Sequence, residues 1–187
     1  MKRHFYLPLL LLLFIGGRAE ALATELGLTY GYQKKTFNAT NFYQTESKAA
    51  SLSIYFLERM ALELSYTDSF YESHESDSNS TRIVQQSSQF ADGSLVFMLL
   101  TKGTPVQPYI KGGAAYITKR QTIKYENASA IDIPVSTGWA PSYGAGLKIL
   151  LTEKFSVKLS YDVVQTPLSD GTNSDDSTFR AGLSWYL

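Results

Sequence analysis

The chain has 187 residues, with 17 Lys and Arg balanced by 17 Asp and Glu, and it contains no cysteine. That length suits one domain. The missing cysteine excludes a disulfide framework and an acylated N-terminal Cys, and the absence of a clustered basic face excludes a nucleic-acid partner.

The N-terminus reads as an export signal. "MKRH" is basic, "FYLPLLLLLFIGG" is an apolar core, and "RAEALA" ends in the small-residue pattern Ala21-Leu22-Ala23. The apolar run falls short of the roughly 20 residues a spanning helix needs. Residues 1–23 are therefore expected to be cut away between Ala23 and Thr24, leaving 24–187 as the mature domain with 14 bases against 16 acids. No later stretch is apolar enough for a membrane helix.

From Thr24 onward the pattern is strict period-two alternation, the signature of half-buried strands. Eight strands are predicted. The first (24–37) sets Leu26, Leu28, Tyr30 and Tyr32 against Gly27, Thr29, Gly31 and Gln33. The second (47–57) carries Leu52, Ile54 and Phe56 on its apolar side, and the third (60–71) carries Met60, Leu62, Leu64 and Tyr66. The fourth (81–100) is apolar throughout "SLVFMLL", and Leu95, Phe97 and Leu99 are assigned to its greasy face.

The fifth begins at Pro108 with "PYIKGGAAYI" and places Ile110 and Tyr116 opposite Lys111 and Gly113. In the sixth, Tyr143, Leu147, Ile149 and Leu151 oppose Gly144, Gly146 and Lys148. The seventh sets Phe155, Val157, Leu159 and Tyr161 against Ser156, Lys158, Ser160 and Asp162. The eighth (177–187) sets Phe179, Leu183, Trp185 and Leu187 against Thr178, Arg180, Gly182 and Ser184. Short turns ("LER", "TKGTPVQ", "TEK") alternate with long polar connections at 38–46, 72–80, 126–137 and 167–176, which makes a two-ended object. The predicted fold is all-β, an eight-stranded antiparallel up-and-down barrel.

Volume decides which face is wet. An eight-stranded barrel has room inside for side chains or one small ligand, and the large apolar set is too bulky for it. The opposite face, mostly Gly, Ser, Ala and Thr, does fit. The apolar stripe must therefore face lipid, with closure satisfying every backbone group. Charges on the lipid phase (Lys34, Lys48, Asp68) sit near the long-loop ends, and the outward aromatics gather toward strand ends as interfacial girdles.

"PYIKGGAAYI", "YGAGLKILLTEKFSVKLSYD" and the terminal "FRAGLSWYL" resemble the small eight-stranded outer-membrane barrels of the OmpA-like, OmpX and OmpW group, over essentially residues 24–187. That family usually ends in Phe, whereas this chain ends Trp185-Tyr186-Leu187. The resemblance implies residence in the outer membrane of a diderm bacterium, contact with lipid and lipopolysaccharide, passage through the barrel assembly machinery and a monomeric state.

The inward phase collects Glu63, Lys111, Lys148, Lys158, Asp162 and Arg180. Charges in so narrow a lumen must be paired, which predicts a salt-bridge plug. The alternative is an OmpW-like narrow pore or conduit for small hydrophobic or anionic solutes, because four bases against two acids favour anions. A lipid A-modifying enzyme is a third reading. Its required base has one candidate in the mature chain, His74 in "YESHESDSNS", beside Ser73, Ser76, Glu72 and Glu75. Such neighbours in a loop lack a rigid frame, so no catalytic, cofactor-binding or metal residue is expected. Gly144-Ala145-Gly146 lies mid-strand without a helix after it, and makes room rather than cradling phosphate.

Strands four and five exceed the roughly 9–11 residues a span needs. Their excess, 81–88 and 118–125, is expected to form a ribbon above the membrane with an edge open to strand addition. A surface partner would then be met through the loops 72–80 and 126–137.

Overall fold

The structure is a computed structural model that describes residues 23–37, 40–77, 80–101, 103–125, 128–167 and 173–187. Within them lie eight strands: β1 (Ala23–Thr36), β2 (Phe42–Leu57), β3 (Met60–Asp77), β4 (Ser80–Met98), β5 (Val106–Tyr125), β6 (Ala128–Leu150), β7 (Phe155–Pro167) and β8 (Asn173–Tyr186). Each pairs antiparallel with its chain neighbours, and β1 returns to β8, so the sheet closes into a barrel in strict sequence order. The expected fold is the one observed. The export segment lies outside the described residues apart from Ala23, which opens β1.

The strand phases follow the alternation. Leu28, Leu64, Leu95, Leu147 and Leu183 are exposed on the outer surface, while Ser53, Ser94, Ser156 and Ser184 are buried inside. In β4 the ambiguous run resolves the same way: Leu95 and Phe97 point out, and Val96 and Met98 point in, while Leu99, just past the strand, is exposed. Aromatic pairs mark both rims of the apolar belt. Phe155 stacks on Trp185 at 5.8 Å, and Tyr116 meets Trp139 edge-on at 5.4 Å.

The turns at one end are tight. Between β6 and β7, Thr152 Oγ1 accepts hydrogen bonds from the Phe155 and Lys154 amides at 3.0 and 3.3 Å, which caps the turn. Gly103, in the β4–β5 turn, has φ 107°, a conformation that favours glycine.

At the opposite end the structure departs from the expectation. Most of the segments read as polar loops are strand: 42–46 belongs to β2, 72–77 to β3 and 128–137 to β6. The excess of β4 and β5 does pair, from Ser88↔Lys119 up to Arg82↔Tyr125. It is no isolated ribbon, however, because β3 flanks it through Asp77↔Ser80 and β6 through Ile123↔Ile131. The physical reason is solvent. Along 129–137 both faces of the strand are exposed, and along 42–46 both are half-buried, so the period-two contrast fades there although the backbone pairing continues.

Two seams interrupt this extension. β6 pairs with β7 only below Ser142↔Val164, and β1 pairs with β8 only up to Tyr30↔Ala181. The free upper edges therefore belong to β6 at one seam and to β1 and β8 at the other, and not to the β4–β5 pair.

Candidate functional site

Each inward position of a strand projects toward the axis, and bulky or charged residues there must meet partners from other strands. The lowest layer is built on Lys148 of β6, which is fully buried. Its ammonium donates to Glu25 Oε2 at 2.5 Å, to the Tyr186 hydroxyl at 2.5 Å and to the Tyr55 hydroxyl at 3.3 Å. Tyr55 in turn donates to Glu25 Oε2 at 2.6 Å. The ammonium also sits 3.9 Å from the Tyr186 ring centroid, a cation–π contact.

One layer up, Glu63 of β3 bridges two lysines. Lys158 Nζ reaches its Oε2 at 2.5 Å and Lys111 Nζ its Oε1 at 3.0 Å. Lys111 also meets Asp162 Oδ1 at 2.9 Å, and Arg180 donates to Asp162 Oδ2 at 2.5 Å and to Thr67 Oγ1 at 2.8 Å. A continuous ionic chain therefore crosses from β3 through β5 and β7 to β8. Higher again, Asp92 accepts from Ser94 at 2.6 Å and from Ser142, and Lys119 of β5 pairs with Asp176 of β8.

All six sequence-predicted lumen residues line this column. Five of them join the Glu63–Asp162 chain, while Lys148 belongs to the separate lower layer. The alternation places Tyr55 inward, as observed, but Glu25, Asp92 and the inward tyrosines Tyr109 and Tyr186 are not among the expected lumen residues. The signal was present for the acids, since Glu25 shares the phase of Gly27, and Asp92 the phase opposite Leu95. Their inclusion corrects the charge argument. Five acids (Glu25, Glu63, Asp92, Asp162, Asp176) now face five bases (Lys111, Lys119, Lys148, Lys158, Arg180) among the contacts described above, so the anion preference drawn from the shorter set has no basis. The free space between these layers is small: cavities of about 40 and 20 Å³.

The histidine cluster sits elsewhere, on the outer face of the extension. His74 Nε2 lies 2.9 Å from Glu72 Oε1, and its ring stacks on Phe42 at 4.4 Å. Ser73, the adjacent candidate nucleophile, is buried on the opposite face of β3, where its hydroxyl donates to Glu75 at 3.5 Å. Strand alternation thus separates the hydroxyl from the imidazole. Among the described residues no group of three or more His, Cys, Asp or Glu side chains could hold a metal ion.

The lipid-facing belt, the closed ring and the polar interior together describe a bilayer-spanning barrel, and comparison with known proteins agrees. The family model described as "Outer membrane protein beta-barrel domain" matches residues 7–186. The chain belongs to that family. It is accordingly a protein of the outer membrane. Among solved structures, this family member is similar to the N-terminal β-barrel domain of Pseudomonas aeruginosa OprF, with 18% identity over 88% of this chain and 97% of that one, at a TM-score of 0.58. Neisserial surface protein A is similar at 13% identity, with 88% and 97% covered and a TM-score of 0.57. A major outer membrane protein of Thermus thermophilus reaches 12% identity, with 88% and 99% covered and a TM-score of 0.50. At these identities the likeness is one of fold. No curated protein matches the chain.

Proposed function

We propose that this outer-membrane barrel has a structural and surface-interactive role, with a lumen closed by salt bridges and no catalytic activity of its own. The observation that carries this reading is the ionic chain from Glu63 to Arg180, which spans the lumen with contacts of 2.5 to 3.0 Å. Ion pairs withdrawn from water are expensive to separate, so a solute would have to break several at once. The equal number of acids and bases also removes the field that would draw ions of one sign inward. These features weigh against the conduit reading. The placement of Ser73 and His74 on opposite faces weighs against a lipid A-modifying enzyme.

Surface interaction would use the extended sheet, in particular β3 through 72–77 and the β6 edge at 128–137, rather than flexible loops. Those segments hold exposed Ile131, Ile133 and Val135, and an unpaired edge can accept a strand from a partner. Lys48 stands level with Tyr30 and Lys34 beyond Tyr32, near the outer rim where lipopolysaccharide phosphates would lie. Biogenesis would pass through the barrel assembly machinery, and the folded unit would be a monomer. Planar-bilayer recording of the purified protein tests the closed lumen: no sustained conductance is expected, and a stable open level in wild type would reject it.

A further inference from the structure

The strands that close the barrel are laddered for only part of their height. β1 pairs with β8 from Glu25↔Tyr186 to Tyr30↔Ala181, yet β1 continues to Thr36 and β8 starts at Asn173. Gly31 still touches its neighbour, since a Cβ there would lie 2.3 Å from the Phe179 carbonyl oxygen. Beyond that contact the ladder stops, and a recess of about 520 Å³ lies at the seam, lined by residues of both the lipid-facing and the inward phase. Such a volume lies within the range of about 300–1,000 Å³ common to small-molecule sites.

The two ends of this window differ in chemistry. Its outer frame includes Tyr32 and Phe179, 57% and 62% exposed on the lipid-facing phase. Its inner lining is Gln33, Thr45, Ser47 and Thr178, which offers hydroxyls and an amide but no charge. Ser47 is 1% exposed, and its hydroxyl has no hydrogen-bond partner among the described residues. A buried hydroxyl is costly to leave unpaired, so one that lines a cavity marks a place for a ligand's polar atom. The Glu63–Arg180 ionic chain runs beneath, so the window ends blindly above it.

We propose that this window binds a single-chain amphiphile with an uncharged, hydroxylated head, taken from the outer leaflet. The chain lies against Tyr32 and Phe179, and the head passes inward to Ser47 and Thr178. This site goes beyond the structural role and does not require the lumen to conduct.

The test uses amide NMR shifts of the mature protein in bilayer nanodiscs, titrated with monodecanoylglycerol and, in parallel, with decanoate. Monodecanoylglycerol should give saturable shifts confined to 31–33, 45–47 and 177–179, with at least tenfold weaker binding of decanoate. A cysteine-free chain allows a reversible staple. In Gln33→Cys/Thr178→Cys, oxidation should abolish the shifts and reduction restore them. Ser47→Val, which leaves the seam open, should weaken binding several-fold and serves where the stapled variant fails to fold. Shifts spread evenly over the apolar belt would overturn the site. Unchanged binding in the oxidised variant, or in Ser47→Val, would overturn it as well. Decanoate binding as tight as monodecanoylglycerol would overturn the uncharged-head assignment. A conducting wild type would defeat the closed lumen without touching this result.

Discussion

Lys158 Nζ lies 2.5 Å from Glu63 Oε2, joining β7 to β3 across the full width of the barrel. In an eight-membered ring those strands are diametrically opposite. This pair therefore ties opposite walls together, and Lys111 of β5, bound to the same carboxylate at 3.0 Å, braces it from between.

Removing that carboxylate should be severe. Glu63→Ala leaves two buried ammonium groups short of a partner, and breaking a buried pair in this way costs about 3–5 kcal/mol. Urea unfolding in detergent or lipid vesicles should show a loss of that order. A loss below about 1 kcal/mol would mean that water already screens the layer.

The seam between β1 and β8 has a different weakness. A Cβ at Gly182 would lie 1.9 Å from the Leu28 carbonyl oxygen and 2.6 Å from Thr29 Cα, both backbone atoms that yield only if the strands separate. Gly182→Val should destabilise by about 1–3 kcal/mol, the usual range for overpacking. Heat-modifiable migration on gels should show unfolding at lower temperature, whereas an unshifted transition would contradict the close approach.

Orientation of the apolar face is testable by charge. Leu64 is 48% exposed at mid-belt in β3, so Leu64→Arg should cost about 2–4 kcal/mol in a bilayer. Tyr32→Arg, beyond the last β1–β8 pair, should cost about 0–1 kcal/mol, because the penalty falls toward the interface. Equal costs at both positions would show that the belt does not face lipid.

Outside the membrane, Glu72 anchors the extension: Gln85 donates to its Oε2 at 2.7 Å, Gln44 to its Oε1 at 3.4 Å, and His74 pairs with it. The Gln85 hydrogen bond, with smaller help from His74 and Lys124, holds its carboxyl below the usual carboxylate range despite partial burial. A carboxylate held low contributes stability that is complete above its unfolded value and is lost as pH falls through the folded one. The protection of the Gln44 and Gln85 backbone amides, taken as exchange relative to the intrinsic rate at each pH, should therefore fall on acidification below about pH 4.3, the ordinary glutamate value, and Glu72→Gln should remove that dependence. Protection that stays constant with pH in wild type would refute the coupling.

Much of this protein is written in local order. Two residues per repeat is a property of one strand alone, so Leu26, Leu64, Leu147 and Leu183 announce their side without knowledge of their neighbours. Bulk then selects lipid for that side, because no narrow tube can hold it. The same logic placed Glu63, Lys111, Lys148, Lys158, Asp162 and Arg180 inside, and applied two residues before Gly27 it would have added Glu25.

Other features depend on stagger. Whether Lys148 meets Glu25 or Glu63 depends on how far each strand slides against the next around the whole ring, a sum over eight registers that no single segment contains. The length of the extension was hidden for another reason: 42–46 is half-buried and 129–137 exposed on both faces, so nothing selects an alternating composition there. Closure itself set the last boundary, since only where the first and last strands meet could Tyr30↔Ala181 end the ladder and leave a window above it.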